Sequence, residues 1–297
     1  MTTHTRFCPA KVNLFLEVTG KRPNGYHELA TLFAKINLGD TLSLQVRPAS
    51  ETQLSLTLTG PIGSQLRADE SNLVCRAARG FLEHFNLTAD IQMTLDKQVP
   101  TGAGLGGGSS DAANTLLALC EIFGKDKQAL LPLATKLGAD VPLFMYDEPF
   151  LKGEGIGEIL TPIAAGGLLP WLVLVYPNTF ISTKDIFGSF HLPPAPEIRA
   201  NTERLTRLID CIRQAQSITQ WKPFLFNRLT QYVTPISQPV QNALDDLAKN
   251  AESVLMSGSG STVFALAQTK QEALKIADNM RKTGRMVFCT SFYTPKK

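Results

Sequence analysis

The sequence lacks an apolar run long enough to cross a membrane. A membrane-spanning helix needs about 20 consecutive apolar residues, and polar or charged residues interrupt every apolar stretch of this 297-residue chain well before that length. The first six residues, Met1 to Arg6, are polar and lack the apolar segment of a secretory signal. We therefore expect no membrane partner and a cytoplasmic location.

Cysteine and histidine are scarce as well. The five cysteines and four histidines are scattered, and none of them has the spacing of a zinc site. An odd number of cysteines within apolar patterns is typical of buried thiols in a reducing compartment. We predict neither a disulfide framework nor a metal centre built by the protein's own side chains.

A large charge of either sign is also missing. The chain has 29 Lys and Arg against 26 Asp and Glu, a net charge of +3, and its basic residues form no dominant cluster. No nucleic-acid partner is expected, and a small molecule is the expected ligand. With 43% hydrophobic residues, the chain has enough apolar side chains for a sizeable core. Either a monomer or a homodimer is compatible with these features.

Hydrophobic periodicity predicts a mixture of strands and helices. Alternation predicts strands over residues 7–18, 32–46, 53–59, 91–96 and 171–176, and helical spacing predicts helices near residues 73–85, 111–123, 127–137, 200–216 and 238–249. A strand–strand–helix–strand unit is expected over residues 253–292. Because strict βαβ alternation is lacking, we predict an α+β fold with two lobes, 1–150 and 151–297.

The most informative segment is the glycine-rich loop at residues 101–110, Thr-Gly-Ala-Gly-Leu-Gly-Gly-Gly-Ser-Ser. Its glycines let the backbone turn tightly and approach a ligand closely. Since a helix follows directly, its free N–H groups and the positive end of its dipole face the loop, an arrangement suited to phosphate. A flexible linker is disfavoured because helical patterning resumes at Asp111.

Two other kinds of phosphate site are disfavoured. The Gly-x-x-x-x-Gly-Lys-Ser/Thr pattern of a Walker loop does not occur in the sequence. Gly102-x-Gly104-x-x-Gly107 matches a dinucleotide fingerprint, but the preceding strand alternates and Pro100 separates it from the glycines. A fingerprint strand in a parallel sheet is instead a nearly continuous apolar run.

Residues Pro100 to Ala113 resemble the Pro-x-x-x-Gly-Leu-Gly-Ser/Gly-Ser-Ser-x-Ala-Ala signature of the GHMP kinase superfamily. Two further motifs of that superfamily occur in the same order, Pro9-Ala-Lys-Val-Asn-Leu-Phe-Leu16 and Met256-Ser-Gly-Ser-Gly-Ser-Thr-Val-Phe-Ala265. The resemblance implies the two-lobe GHMP kinase fold, with a ribosomal-S5-like N-terminal lobe and a ferredoxin-like C-terminal lobe. It also implies ATP as co-substrate and Mg²⁺ as cofactor.

Three other segments narrow the resemblance to one branch of the superfamily. Arg22–Leu29, Leu137–Phe144 and Gly155–Leu160 are similar to the kinases that phosphorylate the 2-hydroxyl of a cytidine diphosphate-linked methylerythritol, and the Tyr26-His27 pair is the discriminating feature. Ala103 and Arg228 depart from the pattern, where glycine and an acidic residue are frequent. The alternatives are a sister kinase acting on a mevalonate-like or homoserine-like alcohol and a binding protein of the same fold without catalysis.

The resemblance implies two catalytic residues, Asp140 and Lys11. Asp140 would accept the proton of the acceptor hydroxyl. Lys11 would hold Asp140 ionised or stabilise charge on the attacking oxygen and the γ-phosphate. From the residues alone, the alternatives are that Asp140 caps the helix that Pro142 begins and that Lys11 is a solvated strand lysine.

The same resemblance implies two sets of binding residues. Tyr26 and Phe187 would cover the two faces of the cytosine, and His27 would hydrogen-bond its edge; the alternative is that Tyr26 and His27 only follow a turn. Ser109 or Ser110 is the expected Mg²⁺ contact, and position alone suggests Asn72 and Lys97 for the adenine. The third motif would support the glycine loop or contact substrate through backbone N–H groups, and the alternative is simple tight packing. The predicted substrate-binding residues are Asn13, Tyr26, His27, Phe33, Thr183 and Phe187, and the predicted ATP-binding residues are Pro100, Thr101, Gly102, Ala103, Gly104, Leu105, Gly106, Gly107, Gly108, Ser109 and Ser110.

Overall fold

The strands and helices of the computed structural model, which describes residues 2–295, fall into two packing units. The first unit comprises Leu38–Thr101, Gly106–Asp147 and the described residues up to Ala10, and the second comprises Lys11–Asn37, Gly102–Leu105 and the described residues from Glu148 onward. The predicted lobes, 1–150 and 151–297, stay a prediction. The division into these two units also shows that residues 11–37 pack with the later half of the chain.

The mixture of strands and helices confirms the predicted α+β class. The strands are β1 (Thr2–Lys21), β2 (His27–Pro48), β3 (Gln53–Thr59), β4 (Ala89–Asp96), β5 (Phe150–Glu154), β6 (Ile159–Ile163), β7 (Trp171–Tyr176), β8 (Phe226–Asn227), β9 (Val254–Met256), β10 (Val263–Ala267) and β11 (Met286–Ser291). The helices are α1 (Leu73–Phe85), α2 (Gly107–Phe123), α3 (Leu131–Leu137), α4 (Thr183–Gly188), α5 (Ala195–Arg213), α6 (Ile218–Trp221), α7 (Thr230–Val233), α8 (Gln238–Ala248) and α9 (Lys270–Arg281).

In the first unit, β4 lies between β2 and β3. It pairs antiparallel with residues 41–48 of β2 and parallel with β3. Its side chains alternate between buried and more exposed positions, as the period-two pattern predicts. Helices α1 and α2 pack against each other, and α1 begins after Asn72 because the Asn72 side chain accepts a hydrogen bond from the Val74 N–H.

The second unit contains two sets of paired strands. In one, residues 31–34 of β2 pair antiparallel with β5, β5 pairs with β6, and β1 pairs parallel with β8. The other is an antiparallel sheet in the order β11-β7-β10-β9. Helices α8 and α9 cover one face of this sheet, where their apolar side chains join those of β7 and β10 in a core cluster. The predicted strand–strand–helix–strand unit is therefore confirmed as β9, β10, α9 and β11.

Strand β1 differs from its expected pattern in one respect. Alternation predicts an apolar face and a polar face, yet every residue from Cys8 to Val18 is buried, including Lys11, Asn13 and Glu17. Both faces of this strand are covered, so each polar side chain on it needs a polar partner. Within residues 2–295, every helix is too short or too polar to span a bilayer.

Candidate active site

The first part of the glycine-rich loop, residues 102–105, belongs to the second unit. Gly102 and Gly104 have φ angles of +62° and +76°, in the left-handed region that favours glycine. A Cβ on Gly104 would lie 2.4 Å from the Ser257 carbonyl oxygen and 2.7 Å from that of Gly260. Gly104 is therefore required both by its backbone conformation and by the chain that packs directly against it.

The chain against Gly104 is the third motif, whose residues 256–262 we call the third-motif loop. The Ser257 hydroxyl donates a hydrogen bond to the Gly104 carbonyl (3.0 Å), and the Thr262 N–H donates to the Ala103 carbonyl (3.1 Å). Of the two roles predicted for this motif, support of the glycine loop is present in the structure. Contact with substrate stays a prediction.

The second part of the glycine-rich loop begins helix α2 in the first unit. The helix starts at Gly107, four residues before the predicted Asp111, and Gly106 caps it with a φ of +68°. The first N–H groups of a helix have no partner within it, so those of residues 107–109 are available to an anion. The loop is therefore partly helical, and its helical part offers the donors that phosphate needs.

The two serines at this helix start lie in different surroundings. Ser110 is fully buried, and Asn114 donates to its carbonyl (3.0 Å) and approaches its hydroxyl (3.4 Å). Ser109 is half-buried, and its hydroxyl lies 3.9 Å from where a Cβ of Gly138 would be. Of the two predicted Mg²⁺ contacts, the half-buried Ser109 is more accessible to a hydrated cation than the buried Ser110, and the contact stays a prediction.

A buried charge cluster of Lys97, Asp40 and Asp111 lies beneath the first turn of α2. The Lys97 ammonium contacts Asp40 (2.5 Å) and Asp111 (2.7 Å), and Asp40 also accepts the N–H groups of Gln98 and Val99. A Cβ on Gly107 would lie 3.0 Å from the Lys97 nitrogen. Lys97, which position suggested for the adenine, is thus held by two carboxylates and supports the start of the helix.

Burial and charge act in opposite directions on the Asp111 carboxyl. Burial raises its pKa most, Lys97 lowers it, and Asp40 raises it again, so that the pKa of Asp111 lies at about 7. One lysine therefore has to compensate two buried carboxylates. Sequence reasoning missed this cluster because its members are far apart in the chain.

Asp140 lies half-buried on the turn between α3 and a short 3₁₀ helix, Pro142–Met145. The Val141 N–H donates to the Gly138 carbonyl (3.1 Å) within this turn. The N-cap position of the 3₁₀ helix is Val141, whose side chain makes no capping hydrogen bond. Both the catalytic role of Asp140 and the alternative that it caps this helix stay predictions.

Lys11 and Asn13 form a buried polar pair on β1 in the second unit. The Lys11 ammonium donates to the Asn13 side-chain oxygen (2.9 Å), and the Asn13 amide donates to the Thr31 hydroxyl (2.9 Å). The same ammonium lies 5.6 Å from the centre of the Phe33 ring, a cation–π distance. Lys11 is only 4% exposed, so the alternative of a solvated strand lysine is wrong.

The structure thus brings three predicted residues, Lys11, Asn13 and Phe33, into one cluster. The Lys11 N–H also donates to the Leu105 carbonyl (2.9 Å), which joins this cluster to the glycine segment 102–105. Asp140 belongs to the other unit, and the predicted pairing of Lys11 with Asp140 stays a prediction.

The residues predicted to bind cytosine lie at the start of β2 and on α4. Tyr26 is 59% exposed at the end of the turn, and His27 is buried, with its ring stacked on that of Phe187 at 5.1 Å and against the edge of Phe190 at 5.6 Å. Burial, followed by the charge of Lys21, lowers the pKa of His27. A neutral imidazole has one donor and one acceptor, which suits the edge of a base.

Thr183, another predicted substrate-binding residue, lies near this pair of rings. Its hydroxyl is 2.6 Å from the Ser259 hydroxyl of the third-motif loop. Because Thr183 begins α4, which carries Phe187, this contact ties the aromatic pair to the loop that supports Gly104. A direct role of Thr183 in substrate binding stays a prediction.

Arg228, noted in the sequence as an unusual residue after Asn227, has a specific partner. Its guanidinium forms two hydrogen bonds with the Glu17 carboxylate (2.8 and 2.7 Å), which is fully buried on β1. Asn201 also donates to this carboxylate (2.6 Å). Two features of the sequence pointed to these residues separately, the position of Glu17 on the polar face of β1 and the unusual arginine. No local pattern in the sequence shows that the two residues form a pair.

Two family models match separate parts of the chain. The GHMP kinases N terminal domain matches residues 72–148, and the GHMP kinases C terminal family matches residues 205–285. A 4-diphosphocytidyl-2-C-methyl-D-erythritol kinase from Burkholderia multivorans is 38% identical over 283 residues, which cover 92% of this chain and 90% of that protein.

Two solved structures are similar over almost the whole chain. A 4-(cytidine 5'-diphospho)-2C-methyl-D-erythritol kinase has a TM-score of 0.78 at 31% identity and covers 98% of this chain and 100% of its own. A homoserine kinase from Cytophaga hutchinsonii also has a TM-score of 0.78, but at 18% identity, covering 100% of this chain and 96% of its own. The second likeness is one of fold alone.

Proposed function

The chain belongs to the GHMP kinase family, and we propose that it transfers the γ-phosphoryl group of ATP to the 2-hydroxyl of 4-diphosphocytidyl-2-C-methyl-D-erythritol. The products are the 2-phosphate and ADP, in the non-mevalonate route to isoprenoid precursors. The observation that carries the choice of substrate is the stacked pair of His27 and Phe187 beside the exposed Tyr26. Homoserine and mevalonate carry no nucleobase, so a kinase for either alcohol would have nothing to bind with these aromatic rings.

The phosphates of ATP are bound by main-chain donors at the start of α2. The N–H groups of residues 107–109 and the helix dipole attract the negative charge. The positive φ angles of Gly102, Gly104 and Gly106 shape the loop before them. Ser109 would hold Mg²⁺, which supplies charge compensation on the phosphate oxygens when it is bound.

Asp140 and Lys11 carry the chemistry of the transfer. A tertiary hydroxyl is a poor nucleophile at neutral pH, so the Asp140 carboxylate accepts its proton as the oxygen attacks the γ-phosphorus. The Lys11 ammonium stabilises the charge that develops on the transferred group. Asn13 and Phe33 fix the position of that ammonium within the protein, so it needs little reorganisation during the reaction.

Recognition of the substrate depends on the cytosine. The exposed ring of Tyr26 and the half-buried ring of Phe187 offer two apolar faces, and the neutral His27 offers hydrogen-bonding atoms to the base edge. Asn13 and Thr183 are the polar residues proposed to contact the rest of the substrate. The five cysteines are free thiols, which agrees with the cytoplasmic location that we propose for the reaction.

The test is a coupled assay of ADP release with the cytidine diphosphate alcohol, mevalonate and homoserine as separate acceptors. We expect turnover with the first only, and turnover of a plain alcohol at an equal rate would refute the proposed substrate. Asp140→Asn is expected to lower kcat by roughly 10²-fold or more, while Asp147→Asn, at an exposed aspartate of the same unit, serves as the matched control and should retain full activity.

Tyr26→Ala separates base recognition from ATP binding. Because Tyr26 would contact only the cytosine, its loss should raise the KM for the alcohol substrate about tenfold or more and leave the KM for ATP within about twofold. Equal effects on the two KM values would mean that the base binds elsewhere.

A further inference from the structure

We infer that Asn227 is a positioning residue for the phosphoryl transfer, because its side chain holds the third-motif loop where that loop meets Lys11 and Gly104. This inference rests on the proposed function. It assigns to Asn227 no contact with substrate, only the task of keeping two parts of the site in place.

The Asn227 amide is fully used in hydrogen bonds to the main chain. Its nitrogen donates to the carbonyls of Met256 (2.7 Å) and Gly258 (2.8 Å), and its oxygen accepts the N–H of Leu229 (2.9 Å). Only 7% of the residue is exposed. Buried carbonyls need donors, and here one side chain supplies donors to two carbonyls on the same loop.

The loop that Asn227 holds lies close to Lys11. A Cβ on Gly258 would lie 3.4 Å from the Lys11 nitrogen, 3.5 Å from the Asn13 oxygen and 3.5 Å from the Gly104 carbonyl oxygen. Gly258 has a φ of +57°, so the turn at this point is tight. A movement of about 1 Å at Gly258 would therefore change the surroundings of the Lys11 ammonium and of the glycine segment together.

The backbone of Asn227 is itself fixed to the strand that carries Lys11. Strand β8 pairs with β1 at the positions Phe15–Phe226 and Leu16–Asn227, and the Arg228 N–H donates to the Leu16 carbonyl (2.8 Å). The next residue along the chain, Arg228, forms the buried ion pair with Glu17 of β1. The third-motif loop is thus attached, through one amide, to the same strand as Lys11 and Asn13.

Asn227→Asp is the variant that tests this role, since it keeps the size of the side chain and removes both donors. The new carboxylate would face two carbonyl oxygens, so the loop is expected to move away. We expect kcat to fall by about 10- to 100-fold, with both KM values within about threefold, and faster amide hydrogen exchange over residues 256–262.

Asn250→Asp is the matched control in the same unit. Asn250 is half-buried, and its amide donates to the Asp246 carbonyl (2.9 Å), away from the third-motif loop. It should lose stability without loss of kcat. If Asn227→Asp does not fold, Asn227→Ser, which keeps one donor, is measured in its place and should show a smaller loss of the same kind.

A double variant separates positioning from general destabilisation. If Asn227 acts through Lys11, then Lys11→Met should lower kcat much less in the Asn227→Asp background than in the wild type. The inference would be overturned if the double variant lost kcat by the full product of the two single losses, or if Asn227→Asp alone kept kcat within twofold of the wild type. If the wild type shows no turnover of the cytidine substrate, the proposed function fails, and amide hydrogen exchange of the third-motif loop becomes the deciding measurement. Unchanged exchange in Asn227→Asp would overturn the inference that Asn227 fixes the loop, and faster exchange would support it.

Discussion

Replacing Lys97 with methionine should destabilise the first unit strongly. Lys97 is the cation of a cluster in which its own side chain, Asp40 and Asp111 are each no more than 3% exposed. Methionine fills a similar volume but leaves two buried carboxylates facing each other without a counter-charge. Asp40 keeps two backbone N–H donors, whereas one oxygen of Asp111 already has no hydrogen-bond partner within residues 2–295.

The expected size of the effect follows from the burial of the cluster. Removing one partner of a buried ion pair costs about 3–5 kcal/mol, mainly because the remaining charge is left without compensation. In a protein of this size, each kcal/mol lowers Tm by roughly 2–4 °C. We therefore expect Lys97→Met to lower Tm by roughly 6–20 °C. Because Lys97 lies beneath Gly107, the KM for ATP should rise as well.

Differential scanning calorimetry with two further variants checks this reasoning. Lys127→Met breaks an exposed pair with Asp147 in the same unit and should cost less than about 1 kcal/mol. Lys97→Met combined with Asp111→Asn should recover part of the lost Tm, since it removes one of the two stranded charges. A Tm for Lys97→Met within 2 °C of the wild type, or equal to that of Lys127→Met, would refute the importance of the cluster.

Three further predictions follow from single features of the structure. Gly104→Ala should lower the free energy of unfolding by about 2 kcal/mol or more, because the φ of Gly104 is positive and a Cβ there would lie 2.4 Å from a main-chain oxygen. Gly108→Ala should not lower it, since a Cβ on Gly108 would lie 3.5 Å from its nearest neighbour. Urea denaturation of both variants measures the difference. Because burial lowers the pKa of His27, the folded protein resists protonation of this side chain. The stability that the neutral His27 contributes is therefore present above the ordinary pKa of about 6.5 and is lost as the pH falls below it. An NMR titration midpoint above 6.5, assigned with His27→Gln, would contradict this. Arg228→Met should cost about 3–5 kcal/mol by stranding Glu17, and adding Glu17→Gln should restore part of it in thermal melts.

Much of the fold could be predicted from the sequence because its signals are local. The alternation in β1, β3 and β4 and the helical spacing of α1 and α9 depend on neighbours within a few positions. The glycine-rich loop could be found for the same reason, since its residues are contiguous. The predicted start of α2 is four residues late, because glycines at 107 and 108 hide a helix whose first turn is fixed by packing on Val99 and Lys97.

What the sequence could not predict depends on distant partners. Period and residue type show that Lys11, Asn13 and Glu17 share a face, but not that another part of the chain covers it. Asp40 lies 57 positions from Lys97, so the charge cluster has no local pattern. Strands β5 and β6 lie at and just beyond the predicted lobe boundary at residue 150, where alternation predicts no strand. Short strands take their conformation from pairing, here of β5 with residues 31–34 of β2 and of β6 with β5.

The ion pair between Glu17 and Arg228 joins residues 211 positions apart, and this distance has a consequence during synthesis. A ribosome that adds about 5–20 residues per second needs roughly 10 to 40 s to make that length of chain. Throughout this interval the first strand has been translated but its arginine partner does not yet exist, and its glutamate stays hydrated. The second unit therefore completes its assembly late, and a nascent chain halted before residue 228 presents an unfinished sheet edge that invites association with other chains.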